Sequence, residues 1–269
     1  MELPNYSKPP VREVAVSVQF GSIPGFGAPH IGLYWNTIRG DFPKYEEQPP
    51  IPHILEETSD VPVSQPVQIQ LTNMPGMPRI WFITSSGNQV VQVQTDRFVF
   101  NWRKVNDSDE YPRYPVVKKG FLQRWDQFCS FLEDQKIDRP QIDQLELTYV
   151  NGISQGEAWT TTSDLQDLFT TLKWRTRAGF LPMPEVMRWS YKFLLKESFG
   201  RLHVDVLPVL VPNSNKMGIR FSLTVRGRPP GEITRRAVED WFDGARRWIV
   251  KGFEDLVDEK TDILWGKQL

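Results

Sequence analysis

The sequence is poor in the side chains that build redox and metal chemistry. It contains one cysteine, Cys129, and three histidines, His30, His53 and His203, in 269 residues. A single cysteine excludes an intramolecular disulfide and a zinc site made of several thiolates. We therefore expect no metal site and no cofactor, and we expect Cys129 to be a buried, inert thiol on a helix.

Long apolar runs are also missing. No stretch approaches the roughly 18 apolar residues that cross a bilayer, and the first residues lack the apolar region of a signal peptide. The formal net charge is only −1, so no overall field draws the chain to nucleic acid or to an anionic membrane. These absences predict a cytoplasmic protein without a membrane partner.

Aromatic residues, in contrast, are abundant. The chain has ten tryptophans, and aromatic residues make up 12% of it. This is more than a core of this size needs, so we expect some rings at a surface or an interface.

The apolar pattern alternates between periods typical of strands and of helices. In chain order it predicts a strand at 14–20, a helix at 29–42, strands at 67–71, 79–84 and 89–103, a helix at 118–135, a strand at 145–149, a short helix at 165–172 capped by Ser163 or Thr162, strands at 189–195, 202–206 and 219–225, and a helix at 234–257. The proline-rich stretch 43–66 predicts an extended, exposed connection, since proline lacks the N–H that a helix or a central strand uses.

This order, strand–helix–three strands–helix, occurs twice along the chain. It predicts an α+β fold with a large curved antiparallel sheet and packed helices, in the manner of helix-grip or TBP-like folds. We expect two tandem units, 1–142 and 143–269, that share one sheet as a single compact domain. Element order alone supports this internal duplication, and a fold by itself carries no function.

Five stretches distributed along the chain suggest a relationship to other proteins: Pro9–Val14, Gln94–Lys104, Tyr111–Tyr114, Leu147–Asn151 and Trp265-Gly266. Together they resemble a sporadically distributed family of uncharacterised prokaryotic proteins. The resemblance implies no particular activity. Its patchy distribution implies genes that travel, as defence and toxin–antitoxin genes do.

A basic and aromatic strand is the first candidate binding site. Arg97, Asn101 and Arg103 share one strand face, Trp102 lies on the other, and further candidates follow at Arg113 and Tyr114. The arginine fork suits phosphate or carboxylate, and aromatic rings stack on bases in single-stranded nucleic acids. The alternative is structural, with the arginines paired to carboxylates on neighbouring strands and Trp102 in the core.

Three weaker candidates come from loops and strands. Arg226 and Arg228 have no partner nearby in sequence, so we expect them to contact a ligand or a protein. The loop 21–27 lacks the third glycine of a dinucleotide site and the Gly-Lys-Ser/Thr of a phosphate loop, which favours a plain connection. His203 shares a strand face with Asp205, as an acid–base pair or as a hydrogen-bonded surface pair.

The basic residues of the last predicted helix have acidic partners four residues away. The pairs are Arg235 with Glu239, Arg236 with Asp240, and Asp243 with Arg247. Such pairs are typical of a solvated helix surface.

We therefore expect a non-enzymatic binding subunit that holds a partner protein, such as an effector from the same mobile defence or toxin–antitoxin locus. Surplus tryptophan, the basic and aromatic strand, and the lack of a recognisable catalytic set support this hypothesis. Two alternatives stay open: a nucleic-acid-binding component that uses the basic and aromatic face, and an enzyme or small-ligand binder with a pocket between helix and sheet. A homodimer is also compatible with the sequence.

Overall fold

The computed structural model describes residues 3–56, 77–211 and 216–268. Within these ranges the chain forms a nine-stranded antiparallel sheet and a separate two-stranded ribbon of β1 and β11. The strands are β1 (Asn5–Tyr6), β2 (Val11–Phe20), β3 (Lys44–Gln48), β4 (Arg79–Ile83), β5 (Gln89–Gln94), β6 (Arg97–Arg103), β7 (Ile142–Ser154), β8 (Trp189–Leu194), β9 (Arg201–Leu210), β10 (Met217–Gly227) and β11 (Lys267–Gln268).

The strand order in the large sheet is β3-β4-β5-β6-β2-β7-β10-β9-β8. Strands β2 and β7 pair at the centre, with Val14 opposite Tyr149. Outward from β2 come β6, β5 and β4, and outward from β7 come β10, β9 and β8. The two runs of elements are therefore arranged alike on the two sides of the centre. The predicted α+β class is confirmed, whereas the division of the chain after residue 142 stays a prediction.

The described helices are α1 (Ala28–Ile38), α2 (Tyr114–Asp134), α3 (Leu165–Leu168), α4 (Arg235–Leu256) and α5 (Lys260–Trp265). Ring contacts show that the three longest pack against one face of the sheet. Tyr34 of α1 lies 5.2 Å from Phe128 of α2, which lies 5.1 Å from Phe98 of β6. Phe121 of α2 lies 5.2 Å from Phe242 of α4. This face holds the core, because the apolar half of each alternating strand points into it.

The opposite face of the sheet is polar, and we call it the polar face. Its central positions carry Glu13 and Gln19 on β2, Asn101 and Arg97 on β6, and Glu146 on β7. No helix among the described residues is both long and apolar enough to cross a bilayer.

Two elements differ from the sequence prediction, and a third falls outside the described residues. The single strand expected at 89–103 is two strands, β5 and β6, that pair as a hairpin around Thr95-Asp96 with Gln94 opposite Arg97. The connection expected at 43–66 begins with edge strand β3, and the strand expected at 67–71 lies outside the described residues.

The helices also begin and end elsewhere than expected. Helix α2 starts at Tyr114 rather than 118, with a proline in its first turn, where the missing N–H costs nothing. Helix α3 stops at Leu168. A short 3-10 turn precedes it, and Thr161, rather than Ser163 or Thr162, occupies the cap position of that turn.

Candidate functional site

A chain of hydrogen bonds crosses four strands of the polar face. Asn101 Nδ2 donates to Glu13 Oε1 (2.7 Å), and Gln92 Nε2 donates to Asn101 Oδ1 (2.9 Å). Arg79 Nη1 donates to Gln92 Oε1 at 2.8 Å. Burial raises the pKa of Glu13, although the bond from Asn101 and nearby arginines oppose this shift. Asn101 is fully buried, and its side chain makes hydrogen bonds within the sheet.

Arg97 and Trp102 are buried as well. The Arg97 guanidinium lies 3.8 Å from Glu146 Oε2 and donates to the Pro52 carbonyl at 3.3 Å. Burial lowers the pKa of Arg97, and the nearby Glu146 carboxylate opposes this shift. Trp102 lies on the core side with its ring 5.4 Å from Tyr111. For these residues the contacts are those of the structural alternative: Arg97 faces a carboxylate and Trp102 packs in the core.

Arg103, the last residue of β6, is partly exposed. Its Nε donates to the Gly87 carbonyl at 2.9 Å, and its guanidinium lies 5.3 Å from the centre of the Trp81 ring. This arginine keeps donors free for a further contact, because a guanidinium has five.

Residues 49–56, which we call the strap, lie on the polar face. Gln94 binds both the N–H and the carbonyl of Ile51, each at 2.8 Å. Gln144 accepts from the Glu56 N–H at 2.7 Å and donates to the Ile54 carbonyl at 2.9 Å. Glutamine side chains therefore make the hydrogen bonds to the strap backbone that a neighbouring strand would otherwise make.

The strap brings Glu56 to a cluster of cationic side chains in the second half of the sheet. Glu56 lies 2.5 Å from His203 Nε2, 3.3 Å from Arg201 Nε and 3.9 Å from Arg226 Nη1. Arg226 also contacts Glu146. Burial alone would raise the pKa of Glu56, but the bond from His203 and the surrounding positive charges outweigh it and lower that pKa.

This cluster corrects one expectation, since His203 pairs with Glu56 rather than with Asp205. Arg226, which has no partner nearby in sequence, contacts two carboxylates from distant parts of the chain, Glu146 and Glu56, and its contact with a ligand or a protein stays a prediction. Glu56 lies far from both residues in sequence, so local spacing gave no sign of it. Arg228 is exposed, and among the described residues it makes no hydrogen bond or ion pair.

Arg113 and Tyr114 lie apart from this cluster, at the start of α2. Arg113 Nη1 donates to the Tyr6 carbonyl at 2.9 Å, and the Tyr114 hydroxyl donates to Asp243 at 3.0 Å. The predicted binding residues are thus spread over the molecule. Arg97, Asn101 and Arg103 lie on the polar face, Arg226 lies in the cluster around Glu56, and Arg113 and Tyr114 lie at the start of α2, while Trp102 packs on the core side and Arg228 is exposed after β10. Local spacing in the sequence did not indicate this separation.

Helix α4 has the charged surface that was expected, with one exception. Arg235 pairs with Glu239 at 2.7 Å and Arg236 with Asp240 at 3.5 Å. Asp243 instead contacts Lys118 of α2 at 2.8 Å. Cys129 is buried, and burial raises its pKa to about 12, as an inert thiol requires.

Strand β8 forms one outer edge of the sheet, and no described strand pairs with its outer side. Leu195 N–H donates to the Gly200 carbonyl at 2.9 Å, directly after the strand. Bonded and non-bonded residues alternate in an antiparallel pair. Ser190, Lys192 and Leu194 therefore direct their backbone N–H and C=O groups away from the sheet.

Exposed apolar side chains surround this edge. On β8 itself Phe193 and Leu194 are exposed, and in the preceding irregular segment Phe180 is 88% exposed. Trp174, Leu181 and Val186 are exposed too. An apolar surface beside unpaired backbone groups is typical of a place where another chain binds.

The same region is strongly basic. Residues 173–196 contain six lysines and arginines against one glutamate: Lys173, Arg175, Arg177, Arg188, Lys192 and Lys196 against Glu185. In the part of the chain that the structure describes, none of these six forms a salt bridge. The charge count was visible in the sequence, but its position at a sheet edge depends on the strand order.

Comparison with protein-family models, with curated proteins and with solved structures finds no match to this chain. In the described ranges no group of three or more histidine, cysteine, aspartate or glutamate side chains is placed to hold a metal ion. The site therefore has to be interpreted from its own chemistry: an open, apolar and basic edge of an antiparallel sheet.

Proposed function

We propose that this protein is a non-enzymatic binding subunit, and that β8 accepts an extended, acidic segment of a partner protein as an additional strand. The observation that carries the proposal is the outer side of β8, with which no described strand pairs, together with its exposed apolar and basic surroundings. The family resemblance suggests an effector of a mobile defence or toxin–antitoxin locus as the partner.

The backbone supplies the affinity in this mode of binding. Ser190, Lys192 and Leu194 together offer three N–H donors and three carbonyl acceptors in one row. A peptide that pairs with a sheet edge satisfies such a row, while side-chain contacts on either face select its sequence. Here Phe193 on the core side and Leu194 on the polar-face side offer the apolar contacts.

The charge of the region determines which partner fits. A second copy of this chain would bring a second basic segment to the same place, and like charges at an interface are unfavourable. An acidic segment would instead neutralise Arg188, Lys192 and Lys196, which form no salt bridge with any described residue. Alternating acidic and apolar residues would match both the charge and the exposed side chains.

The test is selection of a displayed random-peptide library on the purified protein and on two variants, Ser190→Pro and Ser190→Ala. Proline removes the outward N–H and adds a ring on the outer side, whereas alanine keeps the N–H. We expect enriched peptides that alternate acidic and apolar residues, bind the alanine variant like the wild type, and bind the proline variant about tenfold more weakly, as for a loss of about 1.4 kcal/mol.

Both variants should have the melting temperature of the wild type, because proline is tolerated on an edge strand where its nitrogen faces solvent. Equal binding of the peptides to the proline variant would contradict the proposal. So would a failure to enrich acidic peptides, or a single-stranded oligonucleotide that competes with every selected peptide.

A further inference from the structure

A cavity of about 90 Å³ lies on the helix side of the sheet, away from β8. It is lined by the N-terminal segment, the start of α2, strands β7 and β10, and α4, and it is partly open to solvent. Its wall is aromatic and apolar, and includes Tyr6, Tyr111, Tyr114, Tyr149, Leu223, Ile249, Val250 and Phe253.

Two arginines, Arg113 and Arg246, also line this cavity. Neither forms a salt bridge with any residue that the structure describes. Arg113 donates to the Tyr6 carbonyl (2.9 Å) and the Asn5 side chain (3.4 Å), and Arg246 lies 5.0 Å from the Tyr114 ring centre. Because each guanidinium has five N–H donors, both keep donors available for an anion.

The backbone at Arg113 provides an independent observation. Its φ is 72° and its ψ is 152°, a region that is almost restricted to glycine. A residue other than glycine is strained in this backbone conformation, and strained residues concentrate at sites that bind ligands. The strain here places a guanidinium at the cavity, which a glycine in the same turn would not do.

We propose that this cavity binds a small organic anion, with its carboxylate held by Arg113 and Arg246 and its apolar body against α4 and β10. The planar guanidinium matches the two oxygens of a carboxylate. The cavity is partly open to solvent, so a short aliphatic acid can enter with its chain inside and its carboxylate at the arginines. Ile249, Val250 and Phe253 provide the apolar contacts for that chain.

The test is calorimetric titration of the full chain with butyrate, with its neutral isostere butyramide and with inorganic phosphate. We expect saturable binding of butyrate and no binding of butyramide. The variants Arg113→Gly and Arg246→Gln should each bind butyrate about tenfold more weakly, as for the loss of a charged hydrogen bond. The matched control is Arg247→Gln, the exposed neighbour outside the cavity, which should bind as the wild type does.

Arg113→Gly also separates binding from folding. It removes the guanidinium and the backbone strain together, so the relief of strain offsets the lost bonds to Tyr6 and Asn5, and the variant should melt close to the wild type while losing affinity. The proposal is overturned if butyrate does not bind, if butyramide binds equally well, if phosphate binds in place of butyrate, or if Arg113→Gly binds butyrate unchanged.

Discussion

The two outer strands of the sheet differ in chemistry although both lack a neighbour on one side among the described residues. Strand β3 carries Lys44, Glu46 and Glu47, all exposed, and two prolines follow it at Pro49 and Pro50. Charged residues and proline are the usual means by which a protein prevents an edge from pairing. Strand β8 carries mostly aromatic and aliphatic residues with one charge, Lys192, so charge protects the first edge more than the second.

The segments next to the two edges differ in the same way. The strap after β3 is fixed to the polar face by Gln94, Gln144 and Glu56. The segment before β8 carries basic side chains that form no salt bridge with any described residue. Internal contacts therefore fix the segment that follows the first edge, whereas the segment before the second edge makes no salt bridge with any described residue.

The largest expected effect on stability comes from Glu56, the acidic end of the strap. We expect Glu56→Ala to lower the free energy of unfolding by about 3–5 kcal/mol, because it leaves His203 without its carboxylate and removes one carboxylate from Arg201 and Arg226. Glu47→Ala on the exposed edge β3 is the control, with a change within about 0.5 kcal/mol. Denaturant unfolding measures both, and equal effects would show that the strap is not anchored as described.

The contribution of Glu56 should depend on pH. Since the fold lowers the pKa of this carboxylate, the charged form is stabilised in the folded state. Its contribution is present above the ordinary glutamate pKa and is lost as the pH falls through the lowered value. We expect the difference in melting temperature between wild type and Glu56→Gln to shrink in acid. A difference that stays constant would contradict the assignment.

A smaller effect is expected at Gln144. Gln144→Ala removes both hydrogen bonds to the strap backbone, which should cost about 1–3 kcal/mol since buried peptide groups lose their partners. Gln48→Ala on β3 is the matched control, because the Gln48 side chain bonds only to exposed Glu46 among the described residues. Thermal unfolding compares the two, and equal losses would mean that the glutamine contacts to the strap contribute little.

The smallest effect on stability, but one that separates the edges, is expected from exchanging their side chains. Leu194→Lys on β8 should change the free energy of unfolding by less than about 0.5 kcal/mol and leave self-association unchanged, because the basic residues there already oppose the pairing of two copies. Glu46→Leu on β3 removes a protecting charge and should increase self-association. Sedimentation at rising concentration measures both variants. Increased association of Leu194→Lys, or no increase for Glu46→Leu, would contradict the contrast between the two edges.

The sequence predicted the parts of this molecule that depend on local periodicity. Val14, Val16 and Val18 alternate and are fully buried in β2, and Arg235 meets Glu239 four residues along α4. It did not predict the hairpin at Thr95-Asp96, because that turn contains no glycine or asparagine to mark it.

The site was less predictable because it depends on contacts between distant parts of the chain. Glu56 reaches His203 only because the strap crosses the polar face, and no spacing rule connects the two residues. Likewise, 189–195 was expected to be a strand, but its position at an edge follows from the order in which the strands pair. The basic and aromatic strand is recognisable in the sequence because its residues are close together in the chain, yet most of it lies inside the sheet.

Amide hydrogen exchange, measured with and without a selected acidic peptide, shows whether β8 accepts a partner strand. We expect exchange to slow at Ser190, Lys192 and Leu194, whose N–H groups point outward, and to stay unchanged along β3. Unchanged exchange at these three amides while the peptide is bound, or slower exchange along β3, would show that the peptide does not pair with β8 as proposed.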